Sequence, residues 1–163
     1  MEMDIQGAIK SSIETEKSAM VFYQIGAKQM KNPDAKRLFE ILAKEEREHA
    51  GLFFKVYKGN DIPSLEDFLN AAPDSHSVWV TSINSLVEKD FTEKKALELA
   101  MQREKELEAS LLKTASEIED SNVRAVFEIN AKETNKHYQT IESEYARVMR
   151  MPHETDIDTF VRE

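Results

Sequence analysis

Cysteine is absent from the 163 residues, and that one absence closes several routes at once. Disulfides, thiolate nucleophiles, zinc ribbons, iron–sulfur clusters and rubredoxin-type iron sites all require it. Glycine and proline are scarce, at four each, so the chain has few places to turn and is suited to long helices. No apolar run approaches the length of a membrane span, and the opening Met1-Glu2-Met3-Asp4 lacks the basic and apolar regions of a signal peptide. Basic residues number 22 against 31 acidic ones, a formal net charge of −9 that repels phosphate backbones and argues against nucleic-acid binding. These exclusions leave a cytoplasmic helical protein as the expectation. The length suits one domain with a sizeable core.

What is present is periodic. Ile5, Ile9, Ile13, Glu16, Met20, Tyr23, Ala27 and Met30 recur at steps of three and four, predicting a helix over about 5–31. Asn32-Pro33-Asp34 breaks it, because proline suits the first turn of a following helix. A second helix is expected over about 34–57, with stripe Ala35, Leu38, Leu42, Glu46, His49, Phe53 and Val56. Residues 58–91 read as a long crossover. Within it Ser64 caps a short helix, Ser75 to Leu86 has the β-branched and aromatic content of an extended or irregular segment, and Trp79 and Val80 cover a flank of the core. A third helix follows from Thr92 to about Ile118, on a stripe of Leu97, Ala100, Glu104, Leu107, Leu111 and Ala115. The fourth runs from about 121 to 150, through Val126, Asn130, Thr134, His137, Ile141 and Val148. Residues 151–163 form a polar tail, with Phe160 and Val161 available to dock it.

The two halves are copies. Phe39–His49 reads FEILAKEEREH and Phe127–His137 reads FEINAKETNKH, 88 positions later. The same offset relates Glu16 to Glu104, Lys17 to Lys105 and Ala27 to Ala115, and residues 8–49 pair with 96–137 without a gap. A duplicated helical hairpin joined by a crossover closes into a four-helix bundle over residues 1–150, with hairpins at about 5–57 and 92–150.

Each stripe is interrupted at mid-helix by residues that do not belong in an apolar core. Glu16, Glu46 and Glu104 are carboxylates whose burial is costly without compensation, and no Lys or Arg lies on the stripes to supply it. His49 stands one turn after Glu46, and His137 holds the matching place in the second half. Singly, such residues are ordinary: an acid three positions before a His is common in an acidic chain, and a His on a stripe is usually a satisfied core residue. Their shared register points to a dication held by Glu16, Glu46, His49, Glu104 and His137. Carboxylate with imidazole suits iron, manganese or zinc. His76 and His153 lie off the stripes and read as surface residues.

With that spacing the chain resembles the rubrerythrin branch of the ferritin-like superfamily from Ala8 to Tyr145. Such proteins take a Glu from each of two helices and a Glu-x-x-His from each of the other two. The resemblance therefore implies a ferritin-like bundle carrying two iron ions, with Glu16 and Glu104 as the single carboxylates, Glu46 and His49 as one motif, and His137 ending the other. Tyr23 matches a tyrosine that supports the centre. Three positions depart from the pattern. Thr134 stands where the second motif has a Glu that bridges the metals; Leu107 replaces a further carboxylate; and Leu111 answers Tyr23. A water or hydroxide completing the bridge, Glu133 turning inward, or one weak metal position would each follow. The activity implied is reaction with peroxide or oxygen. Its electrons come from an external donor such as a rubredoxin, because this sequence carries no Cys-ligated iron of its own. The implied assembly is a homodimer. A non-catalytic protein that binds, oxidises or stores iron, and a bundle serving only protein interaction, are the rival readings.

Overall fold

In a computed structural model the described residues are 3–161, with side chains through Arg150, and they are helical throughout apart from the connections. Helices α1 (Ile5–Gln29) and α2 (Pro33–Phe54) form the first hairpin. Asp4 caps α1 by accepting from the Gly7 N–H at 2.9 Å. Asn32 caps α2 by accepting from Asp34 and Ala35, with Pro33 opening the helix. The crossover carries α3 (Leu65–Asn70) and α4 (Val78–Lys89). Thr92, through its hydroxyl to the Lys95 N–H at 3.1 Å, starts α5 (Glu93–Glu117), and α6 (Ser121–Val161) completes the second hairpin. Helix α1 packs along α2 and α5 along α6, α2 meets α6, and α4 wedges between α1 and α5. The polar tail expected at 151–163, with Phe160, Val161 and His153, lies outside the residues whose side chains are described.

The crossover departs from expectation. Residues 78–89 are an α-helix, not an extended or irregular segment. Ser77 accepts from the Val80 N–H at 3.2 Å and starts the turn, and Trp79, Val80 and Ile83 then share one buried face. The indole packs edge-on against Phe22, with ring centroids 5.2 Å apart at 87°. That burial outweighs the modest β preference of Val78, Val80, Thr81 and Ile83. Trp79 and Val80 do cover the core, 5% and 2% exposed.

Two aromatic groups bracket the middle of the bundle. Phe22, Tyr23, Phe39 and Trp79 tie α1 to α2 and α4, with Tyr23 and Phe39 at 4.9 Å and 89°. Phe53 of α2 and Phe127 of α6 meet at 4.9 Å and join the hairpins. The buried faces are broader than single stripes, since Phe39, Ala43 and Ala50 on α2 and Val123, Phe127 and Ala131 on α6 are also buried. Lys17, 7% exposed, leaves the core by a polar exit: its Nζ donates to the Phe68 and Ala72 carbonyls at 2.7 and 3.1 Å.

Gly26 leaves room on α1 for the Phe39 ring of α2. A Cβ there would lie 2.7 Å from two Phe39 ring carbons, and that ring is fully buried against Phe22 and Tyr23. Alanine ordinarily favours a helix interior over glycine by roughly 0.5–1 kcal/mol. Here the overpacking opposes it, at about 1–3 kcal/mol. Urea unfolding of Gly26→Ala should therefore show a net loss of stability, and a gain would contradict this packing.

Candidate metal centre

Four helices each carry a polar residue to the same level of the bundle. Helix α1 supplies Glu16, α2 supplies Glu46 and His49 one turn apart, α5 supplies Glu104 and α6 supplies His137. The five residues singled out by the stripes are thus brought together, and all are buried: the carboxylates 1% exposed or less, His49 6% and His137 3%. Glu46 sits between the halves. Its Oε1 is 3.4 Å from His49 Nδ1 and 2.9 Å from His137 Nδ1. Each imidazole also faces a carboxylate from a neighbouring helix, His49 with Glu16 at 3.8 Å and His137 with Glu104 at 3.5 Å. The two rings stack, centroids 5.1 Å apart and 21° from parallel. One donor atom each from Glu46, His49 and His137 fit within 4.8 Å of one another.

These groups are aimed at a common space and are not hydrogen-bonded there. Both oxygens of Glu16 and of Glu46, Oε2 of Glu104, and Nδ1 of both histidines are buried with no hydrogen-bond partner; the short His–Glu approaches bring charges together without hydrogen-bond geometry. An uncompensated buried carboxylate costs several kcal/mol. Among the described residues the buried lysine and arginine, Lys17 and Arg103, do not supply the compensation. Lys17 is held by backbone carbonyls, and Arg103 Nη2 bonds Glu106 at 3.1 Å. Seven inward-facing oxygen and nitrogen donors from four helices are the donor set of a carboxylate–imidazole metal centre, and these residues fit one.

A surrounding layer orients the donors. Tyr23, fully buried, donates its hydroxyl to Glu104 Oε1 at 2.6 Å. Glu45 Oε1 lies 2.9 Å from His137 Nε2. That contact holds the ring with Nδ1 turned inward, the atom a metal would take once its proton is displaced, the usual partner arrangement for a metal-binding histidine. Glu45 was missing from the sequence-derived set because it sits off the α2 stripe. Its signal was only its place beside Glu46, one residue round the helix toward α6. Glu133 does not turn inward: its Oε1 pairs with Lys136 Nζ at 3.2 Å, and the side chain is 37% exposed. Thr134, fully buried, donates its hydroxyl to the Asn130 carbonyl at 2.7 Å, and Asn130 Nδ2 donates to the Val126 carbonyl at 2.8 Å. That polar flank of α6 is thus largely bonded to its own backbone and brings no fourth carboxylate.

Proton affinities follow from the crowding. Burial and then the Glu46 charge push Glu16 well above the usual carboxylate range and Glu104 up to about 7. Burial opposes ionisation of Glu46 as well, but His137 and His49 prevail and hold it far below that range. Burial would lower both histidines; instead Glu16 and Glu46 raise His49 to about 10, and Glu104 and Glu46 raise His137 to about 11. In the metal-free chain the imidazolium ions therefore supply the positive charge beside these carboxylates.

Every raised group makes the folded chain hold protons that the unfolded chain releases. Stability of the metal-free chain should fall as pH rises, first between 4.5 and about 7 through Glu104, then from 6.5 to about 10 and 11 through His49 and His137. A divalent metal displaces those protons. Calorimetric titration near pH 7 in buffers of different ionisation enthalpy should show proton release and an affinity that rises with pH. Binding without proton release would contradict this arrangement.

Comparison with known families gives a match to the Rubrerythrin family model over residues 8–145, a span that includes all five inward residues. No curated protein and no solved structure matches the chain significantly. Among the described residues no helix is long and apolar enough to cross a membrane.

Proposed function

Because the chain belongs to the rubrerythrin family, we propose that it is a di-iron oxidoreductase that reacts with peroxide or oxygen and is re-reduced by an external electron donor. The observation that carries this reading is the set of seven buried, unpartnered donor atoms, with Glu46 placed to serve both halves. A mixed oxygen and nitrogen set suits redox-active iron; manganese and zinc take the same donor types. Glu16, Glu46 and His49 would hold one ion, and Glu46, Glu104 and His137 the other. A bound pair of ferrous ions supplies two electrons at one place, enough with two protons to reduce a peroxide O–O bond.

The protein's share is positional. Glu46 keeps the two halves in register, and Glu45 keeps His137 in one tautomer. Tyr23, its own proton held by burial and by the Glu104 charge, fixes the Glu104 carboxylate from behind. The bundle core keeps bulk water from all of them. A small one-electron carrier of the rubredoxin class fits the need for a donor, since this sequence has no cysteine to ligate such a centre itself. Pairing of two chains into a dimer belongs to the same reading, with Ile41, Leu112 and Ile129 as apolar residues left at the surface.

One observation favours a second reading, in which iron is bound, oxidised or stored without turnover. Thr134 takes the place of the bridging carboxylate and is bonded to its own helix. Addition of hydrogen peroxide to anaerobically ferrous-loaded protein separates the two. We expect two irons oxidised per peroxide, repeated cycles when a reductant is supplied, and loss of metal and activity in Glu46→Ala. A single oxidation that no reductant restores would favour the storage reading. Inertness to both peroxide and oxygen would contradict the oxidoreductase.

A further inference from the structure

A groove of about 440 Å³ runs along the solvent-facing side of the first hairpin, between α1 and α2, and its charge is opposite to that of the chain. Lys28 of α1 and Lys36, Lys44 and Arg47 of α2 line it against a single acid, Glu40, in a sequence with 31 acidic residues to 22 basic ones. None of the four cations is paired with a carboxylate among the described residues. The three lysines stand exposed, and Arg47 Nη1 donates to Asn70 Oδ1 at 3.0 Å and lies 3.8 Å from Met20 Sδ. The floor is apolar: Met20, Ala27 and Ala43, all buried. From position 36 to 47, α2 rises about 16 Å, so the positive charge is drawn out along a line and not gathered about one point. An apolar floor between basic walls receives an amphipathic helix bearing acids better than it receives one small anion.

The chain carries such a helix itself. Residues 151–163 read MPHETDIDTFVRE, four acids against one arginine, and the α6 backbone is helical through Val161. At helical spacing Ile157, Phe160 and Val161 fall on one apolar stripe, flanked by Glu154 and Asp158 on one side and Asp156 on the other. Residues 151–161 rise about 15 Å, close to the length of the line of cations. An unbroken α6 does not bring them to the groove of their own chain. Arg147 already sits at the start of α2, its Nη2 3.4 Å from Asn32 Oδ1 and 3.6 Å from Asp34 Oδ2. From there the helix would have to reverse to lie back along the hairpin, and a proline such as Pro152 kinks a helix without reversing it. We propose that residues 151–163 of one copy lie in the α1–α2 groove of a second copy, exchanged reciprocally about a two-fold axis. Phe160 is the apolar anchor over the floor, and Glu154, Asp156 and Asp158 meet the basic walls. The proposal rests on the dimer of the reading above, to which it gives an interface, and not on the iron chemistry.

Charge reversal in the full-length, metal-free protein tests it, read as mass by sedimentation velocity over a range of concentration and salt. The wild type should be a dimer whose dissociation constant rises with salt. Lys36→Glu with Lys44→Glu reverses the groove, and Asp156→Lys with Asp158→Lys reverses the segment. Each pair should raise that constant by roughly tenfold or more. Lys113→Glu with Lys132→Glu, an equal charge change at exposed positions on the other hairpin, should not. Mixing the two reversed proteins should restore a dimer, because each segment then meets a groove of opposite charge. Phe160→Ala alone should weaken the dimer and shift the Lys28, Lys36 and Lys44 backbone amides in NMR spectra, a readout that stands even should a reversed variant fail to fold. A dimer indifferent to both reversals, equal weakening by the control pair, or reversed proteins that stay monomeric when mixed would overturn the exchange. So would a monomeric wild type; amide shifts in such a monomer would put the segment in its own groove. No metal enters these measurements, so their failure leaves the oxidoreductase reading standing, and inertness of the loaded protein to peroxide leaves the interface standing.

Discussion

Three carboxylates buried at one level of an apolar bundle, with no lysine or arginine among the described residues turned toward them, set the terms for the rest of the molecule. Glu16, Glu46 and Glu104 would each resist burial alone, and together they repel one another. Two histidines answer part of that charge in the metal-free chain, at the expense of raised proton affinity. Helix lengths, the hairpin pairing and the aromatic brackets above and below keep the five residues at a common height, so the charge conflict is a property of the fold and not of one side chain. A divalent metal resolves it with the donors already in place. Buried Lys17 and Arg103 show that the chain does place cations inside and directs them elsewhere.

The duplication explains both the order of the site and its imbalance. Residues repeated at an offset of 88 produce two Glu–His halves around Glu46. The second half has drifted. Thr134 holds its own backbone where the first half has Glu46, and Leu111 stands where the first half has Tyr23. The seam of α5 with α1 holds a hydroxyl-lined cavity, beneath which the Glu16 carboxylate is buried.

Much of this was legible in the sequence because burial follows the helical period. Glu16, Glu46 and Glu104 announced themselves by breaking stripes that were otherwise apolar, and Pro33, Ser64 and Thr92 marked where helices begin. The structure differed where tertiary contact outweighs local preference. Helix α4 forms through Ser77 and the burial of Trp79 despite its β-branched residues. Glu45 was illegible for another reason: a residue off the stripe gains its role only from the helix beside it, here through His137 of α6. Phe39 and Phe127 were likewise visible as a repeat but not as the packing elements they are, since each is buried against a different helix.

The central claim is that the orphaned donors are a divalent-cation site, and its most direct test is anomalous diffraction at the iron edge from crystals of the ferrous-loaded protein. The account predicts iron density enclosed by Glu16, Glu46, His49, Glu104 and His137, with the imidazole Nδ1 atoms turned toward it. A map without iron there, or with iron only on exposed carboxylates such as Glu133, would contradict it.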